Sequence, residues 1–150
     1  MKQIITIFAL FIGLSCTQAQ VENPVKWTFS TVKKADKKYQ LIATATIEGE
    51  WHLYSQSTPD GGPIPTSFSF NKNPLATLVG KPIETGKLIT KHEKVFGVDV
   101  KYYNNKVVFT QDIALKSNVK TNVSGEIEFM VCNDERCLPP KTISFDFKIQ

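Results

Sequence analysis

Val123-Ser-Gly-Glu-Ile-Glu-Phe-Met-Val131 alternates residue by residue. Val123, Gly125, Ile127, Phe129 and Val131 share one parity, while Ser124, Glu126, Glu128 and Met130 share the other. Successive side chains of a strand point to opposite faces, so the stretch is a strand with one face in a core. The next residue, Cys132, has the parity of the glutamates. A thiol used only as core filler would share the parity of Val131, so Cys132 is expected on the outer face and accessible to solvent. A bulge just before it would cancel that inference.

The same period extends outward along the chain. Tyr39, Leu41, Ala43, Ala45 and Ile47 alternate with polar or small residues, as do Ile143, Phe145, Phe147 and Ile149 with theirs. Trp27 to Val32, Trp51 to Tyr54, and Phe68 with Phe70 are shorter strand signals. Val98 to Tyr103 and Lys106 to Ile113 flank Asn104-Asn105, a pair tolerant of left-handed backbone, and read as a hairpin. Thr58 to Pro65 is dense in turn formers and reads as a loop, and Asn71 to Pro74 is a further break. About eight short strands with hardly any helical period imply an all-β antiparallel sandwich or barrel.

Bulk numbers agree with one soluble domain. The 150 residues are 41% hydrophobic and 21% charged, an ordinary globular balance with material for a core. No linker, repeat or low-complexity tract divides them. The net charge of +4 is carried by scattered lysines, with Lys33-Lys34 and Lys37-Lys38 the only doublets. No basic stripe with interleaved aromatics occurs, so nucleic acid is not an expected partner.

Residues 1–19 read as an export signal. Lys2 supplies the positive start, Ile4 to Leu14 the apolar run, and Thr17-Gln-Ala19 a small-x-small cleavage site. The run is too short for a permanent membrane span. Cleavage after Ala19 leaves a domain over residues 20–150 and removes Cys16. A lipid anchor on Cys16 fits less well, because Ser15 and Gly13 stand where such signals usually carry a small residue and a Leu. Export to an oxidising compartment would let Cys132 and Cys137, then the remaining cysteines, form one bridge.

Those cysteines lie four residues apart in Met130-Val-Cys-Asn-Asp-Glu-Arg-Cys-Leu-Pro-Pro140, with Pro139 and Pro140 giving a stiff exit. Three chemistries fit the spacing. As a staple, a closed loop of six residues stabilises by only roughly 2 kcal/mol in the chain-entropy account, and an all-β domain of this size has a core without it. As a redox pair, a tight bridge is easily strained and hence reducible. Arg136, the single arginine among 18 basic residues, adjoins Cys137 and would favour its thiolate, while Asp134 and Glu135 oppose that effect. As a metal site, the pair lacks further ligands: only His52, His92 and Met130 are at hand, without ligand spacing. No Gly-x-Ser-x-Gly occurs either. Spacing alone leaves redox, staple and metal open.

Val131 to Pro140 resembles the redox loop of the amino-terminal periplasmic domain of the bacterial thiol:disulfide interchange protein DsbD, which closes its cysteine pair with Pro-Pro. Glu50-Trp-His-Leu-Tyr54 is similar to the family's aromatic strand, on which tyrosines flank the cysteines; Tyr54 and His52 take those positions. His92-Glu-Lys-Val-Phe-Gly97 is similar to its cap loop, with Glu93 as the acidic residue and Phe96 or Val95 as the shield over the disulfide. The resemblance covers most of residues 25–150. It departs in the cysteine spacing, four residues against five in better-known members. Those members also continue into a membrane carrier and a thioredoxin-like domain, and this chain ends at Gln150.

The resemblance implies an immunoglobulin-like antiparallel β-sandwich and a thiol:disulfide interchange activity of the protein-disulfide reductase type; no cofactor or metal is expected. It implies a periplasmic relay, re-reduced by thioredoxin-like or DsbD-type membrane reductase domains and passing electrons to oxidised periplasmic proteins. Cys137 would form the intermolecular bond and Cys132 would resolve it. The competing function is an exported β-sandwich binding module with a purely structural disulfide.

Overall fold

The computed structural model describes residues 22–150. The expected signal segment, its cleavage site and Cys16 lie outside the described residues. Nine strands follow in order: β1 (Val25–Ala35), β2 (Lys38–Ile47), β3 (His52–Tyr54), β4 (Ser67–Phe70), β5 (Ala76–Glu93), β6 (Val98–Leu115), β7 (Thr121–Phe129), β8 (Val131–Cys132) and β9 (Lys141–Ile149). Every pairing between them is antiparallel. One sheet runs β1-β2-β6-β3-β8 with β5 on the far side of β6, and the other runs β4-β7-β9. The chain is the all-β, immunoglobulin-like sandwich expected. No helix among the described residues is long and apolar enough to cross a membrane.

The alternating positions become the core. Along β2, Tyr39, Leu41, Ala43, Ala45 and Ile47 are buried. They face Val123, Ile127 and Phe129 of β7 and Phe145, Phe147 and Ile149 of β9 in one apolar cluster. Aromatic rings fill its centre. Phe68 lies 5.1 Å from Phe109 and Trp27 5.4 Å from Phe129, between ring centroids. Such tilted pairs suit the ring quadrupoles while burying large areas. Gly125 is needed where the sheet is tightest. A Cβ built there would collide with the Ser69 carbonyl of β4 and the Phe145 ring of β9.

One expectation about strands is corrected, and one strand had no expectation. Asn104-Asn105 is not a hairpin turn, since β6 runs unbroken through it. Asn105 does take a left-handed φ of 61°, but inside a bulge. There the register against β5 shifts between Gly86 and Leu88. The bulge marks a change of partner: β6 pairs with β2 over Lys106–Ala114 and with β3 over Tyr102–Asn104. The strand without an expectation is β5. Its 18 residues carried no period-two signal, because it lies at a sheet edge with most positions exposed on both faces. Hydrogen bonding to β6 rather than burial makes it a strand. Its consequence for function is reach, since the β5–β6 hairpin carries residues 94–97 to the end of the sheet that holds the cysteines.

Candidate functional site

Cys132 and Cys137 form a disulfide across the mouth of a small hairpin, with their Cα atoms 4.0 Å apart. Leu138 N donates to Val131 O at 2.9 Å below the bridge, and Asn133 N donates to Arg136 O at 2.9 Å above it. The side-chain oxygen of Asn133 accepts from the backbone N–H groups of Glu135 and Arg136 at 3.0 and 2.8 Å. An Asn that satisfies two backbone donors in this way replaces missing ladder bonds and sets the turn. Four intervening residues are therefore enough to close the loop.

The parity argument for Cys132 holds, but its expected exposure does not. Val131 points into the main core, and Cys132 leaves the opposite face. It is nonetheless only 2% exposed, because a second apolar cluster of Tyr54, Val100 and Cys132, flanked by Val98, Tyr102 and Met130, covers that face. Cys137, on the returning arm, is exposed. One cysteine is thus embedded and the other exposed.

β3 supplies the flanking aromatics. His52 lies directly across from Cys132 in the ladder. Tyr54 is buried and is fixed through its backbone, its N–H donating to Met130 O at 3.4 Å and its carbonyl accepting from Thr66 Oγ1 at 2.6 Å. The His52 ring packs 4.4 Å from the Tyr102 ring, and its Nε2 lies 3.3 Å from the Tyr54 hydroxyl. Burial pushes the Tyr54 hydroxyl up to about 12, assisted by the negative charge of Glu93. Burial also lowers the His52 imidazole below its ordinary value, against the opposing pull of Asp134. Both groups are therefore neutral at pH 7.

The tip of the β5–β6 hairpin closes the site. Glu93 O accepts from Phe96 N at 3.1 Å and Gly97 N at 2.8 Å, and Gly97 takes a φ of 69° that turns the chain back. Phe96 is 37% exposed and Val95 is 88% exposed. The Glu93 carboxylate pairs with Lys91 at 2.8 Å.

A cleft of about 280 Å³ gathers these groups. Cys132, Cys137, His52, Tyr54, Glu93, Val95, Phe96 and Arg136 all line it. Pro139 does not. It lines a separate apolar groove with Phe129, Val131 and Leu138. Arg136 also differs from expectation. Its guanidinium pairs with Glu22 and lies 6.0 Å from the Trp51 ring, so its charge is shared rather than reserved for Cys137. Lys91 and Tyr102 belong to the site and were not read from the sequence. The Tyr102-Tyr103 doublet was the available signal for Tyr102, since adjacent strand residues must serve opposite faces. Lys91 gave none. Among the described residues, no group of three or more His, Cys, Asp or Glu side chains is placed to hold a metal.

No curated protein matches the chain in sequence. Among solved structures, the N-terminal periplasmic domain of ScsB from Proteus mirabilis is similar at 16% identity and a TM-score of 0.54, over 81% of this chain. The match spans 44% of that ScsB chain, under half its length. The DsbD N-terminal domain of Neisseria meningitidis in the reduced form is similar at 16% identity and a TM-score of 0.51, over 80% of this chain and 83% of that one. A complex between the DsbD N-terminal and PilB N-terminal domains of the same organism gives 15% identity and a TM-score of 0.52, over 85% and 87%. Identities this low establish the shared fold. The family model describing the N-terminal part of thiol:disulfide interchange protein DsbD matches residues 18–149, and this chain belongs to that family.

Proposed function

We propose that the domain exchanges thiols and disulfides through Cys132 and Cys137 as an electron relay in the periplasm. The observation that carries this reading is the asymmetry of the pair. The exposed Cys137 admits a partner, while the embedded Cys132 waits behind it to resolve the mixed disulfide. Phe96, with Val95 beside it, serves as the cap over the sulfurs. Tyr54 and His52 form the wall, and Glu93 anchors the cap through its carbonyl. Arg136 holds the tip of the cysteine hairpin through Glu22 and Trp51. Pro139 stiffens the exit of that hairpin from outside the cleft.

Electrons arrive from a thioredoxin-like or DsbD-type membrane reductase domain and leave to oxidised periplasmic proteins. That two domains can meet in this way is supported by the complex of a DsbD N-terminal domain with a PilB N-terminal domain in Neisseria meningitidis. Residues 1–19 act as the cleaved export signal. A Cys132→Ser variant should accumulate a mixed disulfide through Cys137 with a thioredoxin-like protein. A redox titration should place the couple above roughly −300 mV, the region of working rather than structural disulfides. A potential well below that, with no partner trapped, would leave a binding module held by an inert bridge.

A further inference from the structure

The two sulfurs have unequal access to protons. Solvent can take or return the proton of the exposed Cys137. Cys132 is 2% exposed among Tyr54, Val100 and their neighbours. Apolar surroundings keep a thiol protonated, yet only the thiolate attacks a disulfide. A base beside Cys132 is needed for it to act at neutral pH.

His52 is the imidazole placed there. It is the cross-strand partner of Cys132 between β3 and β8, so the two side chains leave the same face as direct neighbours. It lines the cleft with both cysteines. The Tyr54 hydroxyl at Nε2 and the Tyr102 ring hold its orientation. The charges facing it are Lys91 and Glu93 from β5 and Asp134 from the hairpin tip. Burial outweighs these, keeping the imidazole neutral and able to accept a proton at pH 7.

We propose that His52 takes and returns the proton of Cys132 during exchange, with Tyr54 orienting the imidazole. The idea rests on the exchange reading above. With a partner joined to Cys137, His52 accepts the Cys132 proton and the resulting thiolate attacks Cys137 Sγ. The Cys132–Cys137 bond forms and the bond from Cys137 to the partner breaks. The partner sulfur departs with the electron pair as a thiolate, which is protonated by solvent. The domain is oxidised by two electrons and the partner reduced by two. In reverse, the imidazolium protonates the Cys132 sulfur as the partner thiolate opens the bridge.

The test mixes the reduced protein with one equivalent of an aromatic disulfide, 5,5′-dithiobis(2-nitrobenzoate), and follows the released aromatic thiolate by stopped flow. Attack by Cys137 gives the first release, and resolution by Cys132 gives the second. In His52→Gln the ratio of first-phase to second-phase rate should rise by about tenfold or more at neutral pH, a modest share of what general base catalysis supplies. The second phase of the variant should also climb with pH where the wild-type rate has levelled. Tyr54→Phe should raise the ratio by a smaller factor. His52→Tyr serves as the second variant if His52→Gln does not fold, with the same rise expected. An unchanged ratio and pH profile in either His52 variant would overturn the proposal while leaving exchange intact. A wild-type protein that gives no second release would overturn the exchange reading itself.

Discussion

The domain contains two apolar clusters that were assembled by different means. The larger lies between the sheets and takes its members from single-parity positions on β1, β2, β6, β7 and β9. The smaller, Tyr54, Val100 and Cys132, uses the opposite parity on β3, β6 and β8. Neighbouring residues serve the two: Leu53 and Val131 point into the first, Tyr54 and Cys132 into the second. The larger cluster is closed by a second sheet. The smaller takes Val98, Val100 and Tyr102 from the β5–β6 hairpin, whose tip at 94–97 holds itself through hydrogen bonds to a single carbonyl. A region with few apolar contacts and a self-contained tip opens at lower free energy than a core between sheets. The larger cluster therefore holds most of the apolar burial, and the smaller one covers Cys132.

Four measurements test that contrast. The largest effect is expected in the main core, where Phe109→Ala should lower unfolding free energy by about 4 kcal/mol in urea melts, because Phe109 is 1% exposed among other rings. A loss under about 1 kcal/mol would mean that this core does not carry the stability. Next comes the difference between the sulfurs. After reduction, iodoacetamide should modify Cys137 roughly tenfold or more faster than Cys132, read by mass spectrometry of peptides. Equal rates would show that the small cluster does not shield its thiol.

Phe96→Ala should separate the two properties more gently. Reduction of the disulfide by dithiothreitol should quicken by roughly threefold, while unfolding free energy changes by no more than about 1 kcal/mol. A large stability loss with unchanged reduction would make Phe96 a packing residue instead of a cap. The smallest effect concerns pH. The folded pKa of His52 lies below its ordinary 6.5, chiefly through burial, so the unfolded chain takes the proton first. This contribution to stability is complete above pH 6.5 and is lost as the pH falls below it. His52→Phe should therefore show a flatter acid limb in a series of melting temperatures. The tyrosines act at the other end. Tyr54 and Tyr103 rise to about 12, chiefly through burial, so their contribution is lost as pH climbs from 10 toward 12. An unchanged acid limb in His52→Phe would remove burial as the source of the His52 shift.

Much of this was legible in advance, and the misses have identifiable causes. The strands of the main core were readable because each has one wet and one dry face, which writes period two into the residues. β5 was not, since an edge strand exposed on both faces leaves no such record. Asn105 was read correctly as tolerant of left-handed backbone, but turn and bulge place the same demand on one residue. The burial of Cys132 was misjudged because parity reports which face a side chain leaves, not what covers that face. Arg136 was assigned to Cys137 by adjacency, whereas its side chain reaches Glu22, more than a hundred positions away in the chain.

The residues by themselves determined an all-β antiparallel domain, sandwich or barrel, the parity of Cys132 and the short loop that joins it to Cys137. These follow from periodicity and turn chemistry, which act between near neighbours. Only the tertiary structure decided that one cysteine is embedded and the other exposed, that His52 stands across from Cys132, and that Phe96 reaches the site at all. Those relations depend on which strands hydrogen-bond side by side and on how far an edge hairpin extends. Pairing of that kind is a choice among distant partners that local sequence leaves free.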